Sequence, residues 1–365
     1  MITLERVTRR YGETVAVNEL SLEIGKGEVC VLIGPSGCGK TTTLRMINRL
    51  VRPTSGRILI DGKDNSRVSA EKLRLSIGYA IQSVGLFPHL TVAQNIAVVP
   101  QLLRWEKGRV KQRVAELLGL VGLDAAEYGD KYPAQLSGGE AQRIGVARAL
   151  AADPPIMLMD EPFGAVDPLT RERLQAQFLR IQQGLKKTVV LVTHDLDEAI
   201  RLADRIAIME AGRLVQYDTP EIVLSRPVNN FVRDFVGADR ALKRLSRINV
   251  RNFIKPAPSI PLASTPQEAL ALAGAFRWLW VVEGSGRLIG WVDRNSLGTA
   301  SSVVEAMDRK EAAEISITEH ASLREALSRM LGLGFRHLPV IDDDGRLVGE
   351  VSLHDIEAAT SDGEE

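Results

Sequence analysis

Gly34-Pro35-Ser36-Gly37-Cys38-Gly39-Lys40-Thr41 sets three glycines beside one ammonium and two hydroxyls, the second of them next to the ammonium. Glycines let a backbone wrap closely, so that N–H groups converge on oxyanions, and a helix that follows adds the positive end of its dipole. The spacing fits G-x-x-x-x-G-K-[ST], in which the lysine reaches the β- and γ-phosphates of a nucleotide and the hydroxyl binds Mg²⁺. Gly34, Ser36, Gly37, Cys38, Gly39, Lys40, Thr41 and Thr42 are therefore candidate nucleotide contacts, with Thr41 also a candidate metal ligand. Further along, "IMLMDE" (156–161) ends an apolar run on two carboxylates. Asp160 suits the same Mg²⁺, and Glu161 is placed to polarise an attacking water as a general base.

Such groups need rigid elements to hold them. "GEVCVLIG" (27–34), "PPIMLMDEP" (154–162) and "TVVLVTHD" (188–195) are short apolar runs with β-branched residues, which predict buried strands. Helical stretches lie between them. "KTTTLRMINRL" (40–50) places Leu44, Ile47 and Leu50 at helical spacing, and residues 138–154 predict another helix. Continuous apolar strands alternating with helices indicate an α/β fold, with a mostly parallel sheet covered on both faces.

Composition sets bounds. A length of 365 residues predicts two or three domains, and 45% hydrophobic with 25% charged residues matches a globular protein. Zero formal net charge argues against a nucleic-acid partner. The charge is uneven: residues 256–365 hold 9 basic and 18 acidic side chains, leaving 37 and 28 before them. Two cysteines without CxxC spacing read as a reducing compartment. No apolar run reaches the roughly 18 residues of a spanning helix, so any membrane crossing is expected from another chain.

"LSGGEAQR" (136–143), between the phosphate loop and the Asp160 strand, resembles the signature of the ATP-binding cassette (ABC) family, with Glu140 where Gln is usual. Residues 1–237 follow that family's motif order. The resemblance implies a P-loop NTPase cassette: a mostly parallel sheet flanked by helices, with antiparallel β and helical subdomains. It implies ATP and Mg²⁺ as cofactors and a head-to-tail homodimer. In that dimer Ser137, Gly138 and Gly139 serve, in trans, the γ-phosphate held by the opposite copy. By the same resemblance Tyr11 stacks on adenine, and Gln82 is a catalytic and metal-sensing glutamine. Phe87-Pro88-His89 meets a membrane subunit, Asp167 belongs to the D-loop, and His194 is the switch histidine on the γ-phosphate.

After residue 255 comes a repeat. "FRWLWVVEGSGRLIGWVD" (276–293) matches "FRHLPVIDDDGRLVGEVS" (335–352) at an offset of 59, with nine of eighteen positions identical. Each copy follows a helix-like stretch, so two helix–strand–turn–strand units should pack as a pair. The pair resembles tandem CBS domains, a regulatory module that often binds adenosyl compounds. The division expected is a connector at 238–255, a degenerate first CBS domain at 256–302, a second at 303–360 and an acidic tail at 361–365. Gly349, Ser352 and Asp355 fit the family's ligand pattern, with Ser352 on phosphate and Asp355 on a ribose hydroxyl of an adenosyl or cyclic dinucleotide. In the first copy Asp293 and Ser296 take the corresponding places, where a carboxylate would repel phosphate, and Trp278, Trp280 and Trp291 add bulk.

A cassette followed by a CBS pair resembles the ATPase subunits of quaternary-amine osmoprotectant importers. That implies import of glycine betaine, choline, carnitine or proline betaine through separate membrane permease subunits, fed by an external binding protein, with this chain peripheral on the cytoplasmic face. The rival readings are an importer ATPase for another solute, such as an amino acid, and a soluble ABC ATPase outside transport.

Overall fold

The computed structural model describes residues 2–81, 85–164, 166–237, 240–274, 276–308 and 312–361. It divides into two units, Met1–Gly237 and Ala238–Glu365. In the first, the strands are β1 (Ile2–Tyr11), β2 (Thr14–Ile24), β3 (Val29–Ile33), β4 (Ser55–Ile60), β5 (Lys63–Asp64), β6 (Ile77–Ala80), β7 (Ile156–Asp160), β8 (Thr188–Val192), β9 (Arg205–Glu210) and β10 (Arg213–Asp218). One sheet runs β10-β9-β3-β8-β7-β6 and is parallel except for β10. A second, antiparallel sheet runs β2-β1-β4-β5.

Between their ends the parallel strands are apolar because both sheet faces are buried. Side chains alternate between two cores: Val29, Val31, Met157, Met159, Val189 and Leu191 enter one. Cys30, Leu32, Ile156, Leu158, Val190 and Val192 enter the other. Both cysteines are free and buried, and burial pushes the Cys30 thiol well up, so it stays protonated. Since β3, β8 and β7 are neighbours, the ends of all three strands open at one edge, which is where ligands of open α/β sheets bind.

Element ends differ from the sequence reading where local chemistry stops a helix. The helix after β3 spans Lys40–Ile47, not 40–50: Asn48 caps it, Arg49 turns to φ 52°, and Leu50 is 47% exposed rather than on a buried face. The helix opened by the signature spans Gly138–Leu150 and ends before Pro154-Pro155.

The second unit carries β11 (Ser259–Pro261), β12 (Trp278–Val282), β13 (Leu288–Asp293) and β14 (Met307–Asp308) in one sheet, in that order. A second sheet holds β15 (Ile317–Thr318), β16 (His337–Ile341) and β17 (Leu347–Ser352). The repeat holds at the level of register. Trp278 pairs with Asp293 as His337 pairs with Ser352, and the irregularity at Val281/Val282 recurs at Val340/Ile341. The two copies meet about a pseudo-twofold. Leu288 N–H donates to Gly345 O and Leu347 N–H to Gly286 O, each at 3.0 Å, around an Arg287–Arg346 bridge.

The segment read as a connector is built into the second copy. Leu245 and Val250 lie in its core, Val250 N–H donates to Ala321 O at 2.9 Å, and Lys255 and Glu350 exchange backbone hydrogen bonds at 2.9 Å. Gly349 allows that approach, because a Cβ there would lie 2.4 Å from Lys255 O.

Candidate functional site

The phosphate loop leaves β3 and enters the helix at Lys40. Gly39 takes φ +102°, and a Cβ on it would meet Ala16 O at 2.4 Å, so both conformation and space demand glycine. Lys40 is 8% exposed, and its Nζ donates to Gly34 O at 2.7 Å and Pro35 O at 3.0 Å. The ammonium thus bridges the loop from inside. Thr41 Oγ1 donates to Asp160 Oδ1 at 3.0 Å, joining the start of the helix to the end of β7. Burial pushes the Asp160 carboxyl up, and the Thr41 hydroxyl opposes that shift. A hydroxyl and a carboxylate are both hard oxygen donors, the set Mg²⁺ prefers.

One residue on, Glu161 has φ +47°, left-handed for a residue with a side chain. Three bonds hold it there: its N–H donates to Val192 O at 2.9 Å, and its O accepts from Gln142 Nε2 at 2.9 Å and from Gly164 N at 3.2 Å. Strain at a site so braced marks a position where geometry matters more than local stability. The turn brings Glu161 Oε1 to 3.2 Å from His194 Nδ1, which stands just past β8. His194 is itself set by its neighbours. The Thr193 hydroxyl donates to the buried Glu198 carboxylate and accepts from Asp195 N at 3.0 Å. Burial pushes the Glu198 carboxyl up.

The structure therefore brings Lys40, Thr41, Asp160, Glu161 and His194 to one edge of the sheet. Ser137 and Gly138 are exposed at the start of their helix instead. Ser137 Oγ accepts from Glu140 N at 3.3 Å, while Glu140 Oε2 accepts from Ser137 N at 2.7 Å, a reciprocal cap. Tyr128 OH donates to Glu140 Oε1 at 2.7 Å. That bond and those from Ser137 hold the Glu140 carboxyl down at about 2. Glu or Gln can close such a cap, which accounts for the departure at this position. Asp167 caps the helix Pro168–Leu185, accepting from Thr170 N at 3.0 Å. Tyr11 ends β1 with its ring 46% exposed beneath the Arg9 guanidinium at 4.3 Å. Gln82 lies outside the described residues.

Three residues that motif reading passed over organise this region. Gln142 ties the signature helix to the Glu161 backbone. Arg148, two turns on in the same helix, donates to Gly85 O at 2.7 Å and stands 5.8 Å from the Phe87 ring. Asn95, fully buried, accepts from Phe87 N at 2.8 Å and donates to Phe87 O, Leu90 O and Thr91 O. Gln142 and Arg148 act on segments distant in sequence, and Asn95 closes the loop just before its own helix, so no motif marks them.

In the second unit Ser352 and Asp355 are each other's partners. Asp355 Oδ2 accepts from Ser352 N at 3.0 Å and Oγ at 2.6 Å, and Oδ1 pairs with Lys255. Their polar atoms meet in a helix cap and an ion pair. Gly349 serves strand approach.

Comparison with known proteins agrees with this geometry. The ABC transporter model matches residues 17–164, and the CBS domain model matches residues 303–361. The chain is 47% identical over 361 residues to the osmoprotectant import ATP-binding protein OsmV of Salmonella typhimurium, covering 96% of this chain and 94% of that one. It is 46% identical over 386 residues to the choline transport ATP-binding protein OpuBA of Bacillus subtilis, covering 100% and 98%. A bacterial ABC transporter cassette solved as a dimer is 34% identical, with a TM-score of 0.56, over 60% of this chain and 99% of its own. That cassette is also known in a post-hydrolysis state bound to ADP and Pi.

Proposed function

The chain belongs to the ATP-binding subunits of ABC transporters that import osmoprotectants, and from that membership we propose that it hydrolyses ATP to drive a quaternary amine through separate membrane subunits. Glycine betaine, choline, carnitine and proline betaine are the candidate cargoes. The observation that carries this reading is the convergence of Thr41–Asp160 and Glu161–His194 at the ends of neighbouring strands.

Within that reading, Lys40 and the loop N–H groups of Gly34, Ser36, Gly37, Cys38, Gly39, Thr41 and Thr42 grip the phosphates. Thr41, Asp160 and Gln82 hold Mg²⁺, which when bound neutralises developing charge on the phosphoryl oxygens. Glu161 takes a proton from the attacking water, and His194 Nδ1, 3.2 Å away, keeps that carboxylate aimed. Tyr11 offers its face to adenine. Ser137, Gly138 and Asp167 are exposed, with the half-buried Gly139 beside them, on the surface a second copy would meet, so two copies would share two nucleotides.

The signature helix supplies the coupling. Its first turn would face the partner's phosphate, Gln142 grips Glu161, and Arg148 holds the loop of Phe87. A rigid helix that moves on closure would shift Phe87, 42% exposed, against a permease. No helix among the described residues is long and apolar enough to cross a membrane. The chain would work as a peripheral subunit on the cytoplasmic face, with an external binding protein delivering cargo to the permease.

The decisive assay is uptake of labelled betaine into vesicles holding the whole complex. Uptake should require ATP and stop with Glu161→Gln. Uptake that survives Glu161→Gln, or a complex that moves an amino acid in place of betaine, overturns the proposal.

A further inference from the structure

Three of the chain's four tryptophans stand together on one hairpin. Along β12, Leu279 and Val281 turn into the first copy's core, which leaves Trp278 and Trp280 on the opposite face. Across the hairpin, Trp280 is in register with Trp291, and Trp278 with Asp293. Phe335 of the second copy faces this patch, with its ring centroid 5.7 Å from Trp291 at 78° and 6.5 Å from Trp280 at 59°. Together they line a cleft of ≈ 320 Å³, open to solvent, with Arg277 and Arg336 also at its walls.

Its chemistry narrows the ligand. The rings meet at steep angles, making the walls of a box rather than the parallel plates that sandwich a flat base. Ring faces carry negative potential and attract a cation, most strongly one that sheds water easily, such as a methylated ammonium. Arg277 is paired with Asp293 at 3.4 Å, and the Glu350 carboxylate behind the rings is taken by Trp280 Nε1 at 2.8 Å and His337 Nδ1 at 2.9 Å, which leaves the Arg336 guanidinium at the wall to meet a ligand. A guanidinium suits one carboxylate, which it binds in a two-pronged manner. Asp293 on the wall disfavours a phosphate chain.

We infer that this cleft binds a small zwitterion bearing a quaternary ammonium head and a carboxylate. Identifying that zwitterion with the cargo rests on the proposed function above; the cleft's chemistry does not. Bound there, accumulated cargo would report its own level to the chain that drives its entry.

Tryptophan fluorescence of the full-length protein, titrated with glycine betaine, tests the inference, because only Trp105 lies outside the cleft. A saturable change is expected with betaine. Glycine, which lacks the methyl groups, and choline, which lacks the carboxylate, should bind at least about tenfold more weakly. Trp291→Ala should weaken betaine binding about tenfold or more, and calorimetry on the same protein reads this independently of fluorescence. Trp291→Phe keeps a ring face and should retain most of the affinity, which separates loss of the cage from loss of fold. Lys40→Ala should bind betaine as the parent does. No saturation with betaine, equal response to glycine, or tighter binding of adenosine overturns the inference. Failed betaine uptake by the complex alongside intact binding would overturn the cargo reading and leave the cleft standing.

Discussion

The phosphate loop and the aromatic cleft hold charge in opposite ways. The loop is backbone: N–H groups, one buried lysine, and a glycine fixed by φ +102° and a 2.4 Å approach to Ala16 O. The cleft is side chain: ring faces and guanidinium groups, raised on a hairpin that calls for glycine away from the rings, at the Gly286 turn (φ +82°) and at Gly290, where a Cβ would lie 2.8 Å from Asp308 O. A site made of backbone tolerates almost no change at its glycines. A site made of side chains diversifies freely, and the second copy of the repeat shows it: His337, Pro339, Glu350 and Ser352 stand where the first has Trp278, Trp280, Trp291 and Asp293.

The hardest break should come at Gly39. Gly39→Ala puts a Cβ against Ala16 O in a left-handed conformation. We expect nucleotide binding to fall beyond detection and stability to drop by about 1–3 kcal/mol, measured with a fluorescent ATP analogue and by denaturant melts. Glu161 comes next. Glu161→Gln should lower ATPase turnover about 10²–10⁴-fold with nucleotide affinity kept. Glu161→Gly should be equally inactive yet more stable by about 1 kcal/mol, since glycine adopts φ +47° at no steric cost. If that variant melts lower than the parent, the strain assigned here is wrong.

On the side-chain half, Trp280 is 2% exposed and its Nε1 donates to Glu350 Oε2 at 2.8 Å. Trp280→Phe leaves that buried carboxylate short of a donor and should cost the second unit about 1–3 kcal/mol in a melt. Two smaller effects are read from pH. Burial raises the Glu198 carboxyl, so its favourable contribution is full below the ordinary carboxylate value and is lost as pH rises through the folded value. Glu198→Gln should therefore melt higher than the parent at pH 7, with the gap closing towards pH 4. Glu140 runs the other way. Its carboxyl is held at about 2, so its contribution is present above the ordinary value near 4.5 and fades as pH falls from there towards 2. Glu140→Gln keeps the cap, should leave ATPase activity nearly unchanged, and should flatten that acid limb.

Much of this was legible along the chain. Glycine spacing, strand-end carboxylates and motif order pointed to Lys40, Thr41, Asp160, Glu161 and His194, because each is tied to the end of an element by short-range rules. Leu50 was misread because helical spacing carries no stop signal as strong as Asn48 and the turn at Arg49. Gln142 and Arg148 were invisible because their partners depend on how helices pack on the sheet; Asn95 and Glu198 bond to the loops just before their own helices, and no residue pattern announces that a side chain folds back in this way. The tryptophans were visible but read only as bulk, since which face a hairpin residue occupies follows from register.

The sequence by itself determined the phosphate loop, the strand alternation and the 59-residue repeat, all consequences of local conformational preference and period. Tertiary structure alone decided three things: the left-handed turn at Glu161, the pairing of Asp355 with Lys255, and the meeting of four aromatic rings across a pseudo-twofold. Each depends on contacts between segments far apart in the chain, whose free energy exists only once both are folded.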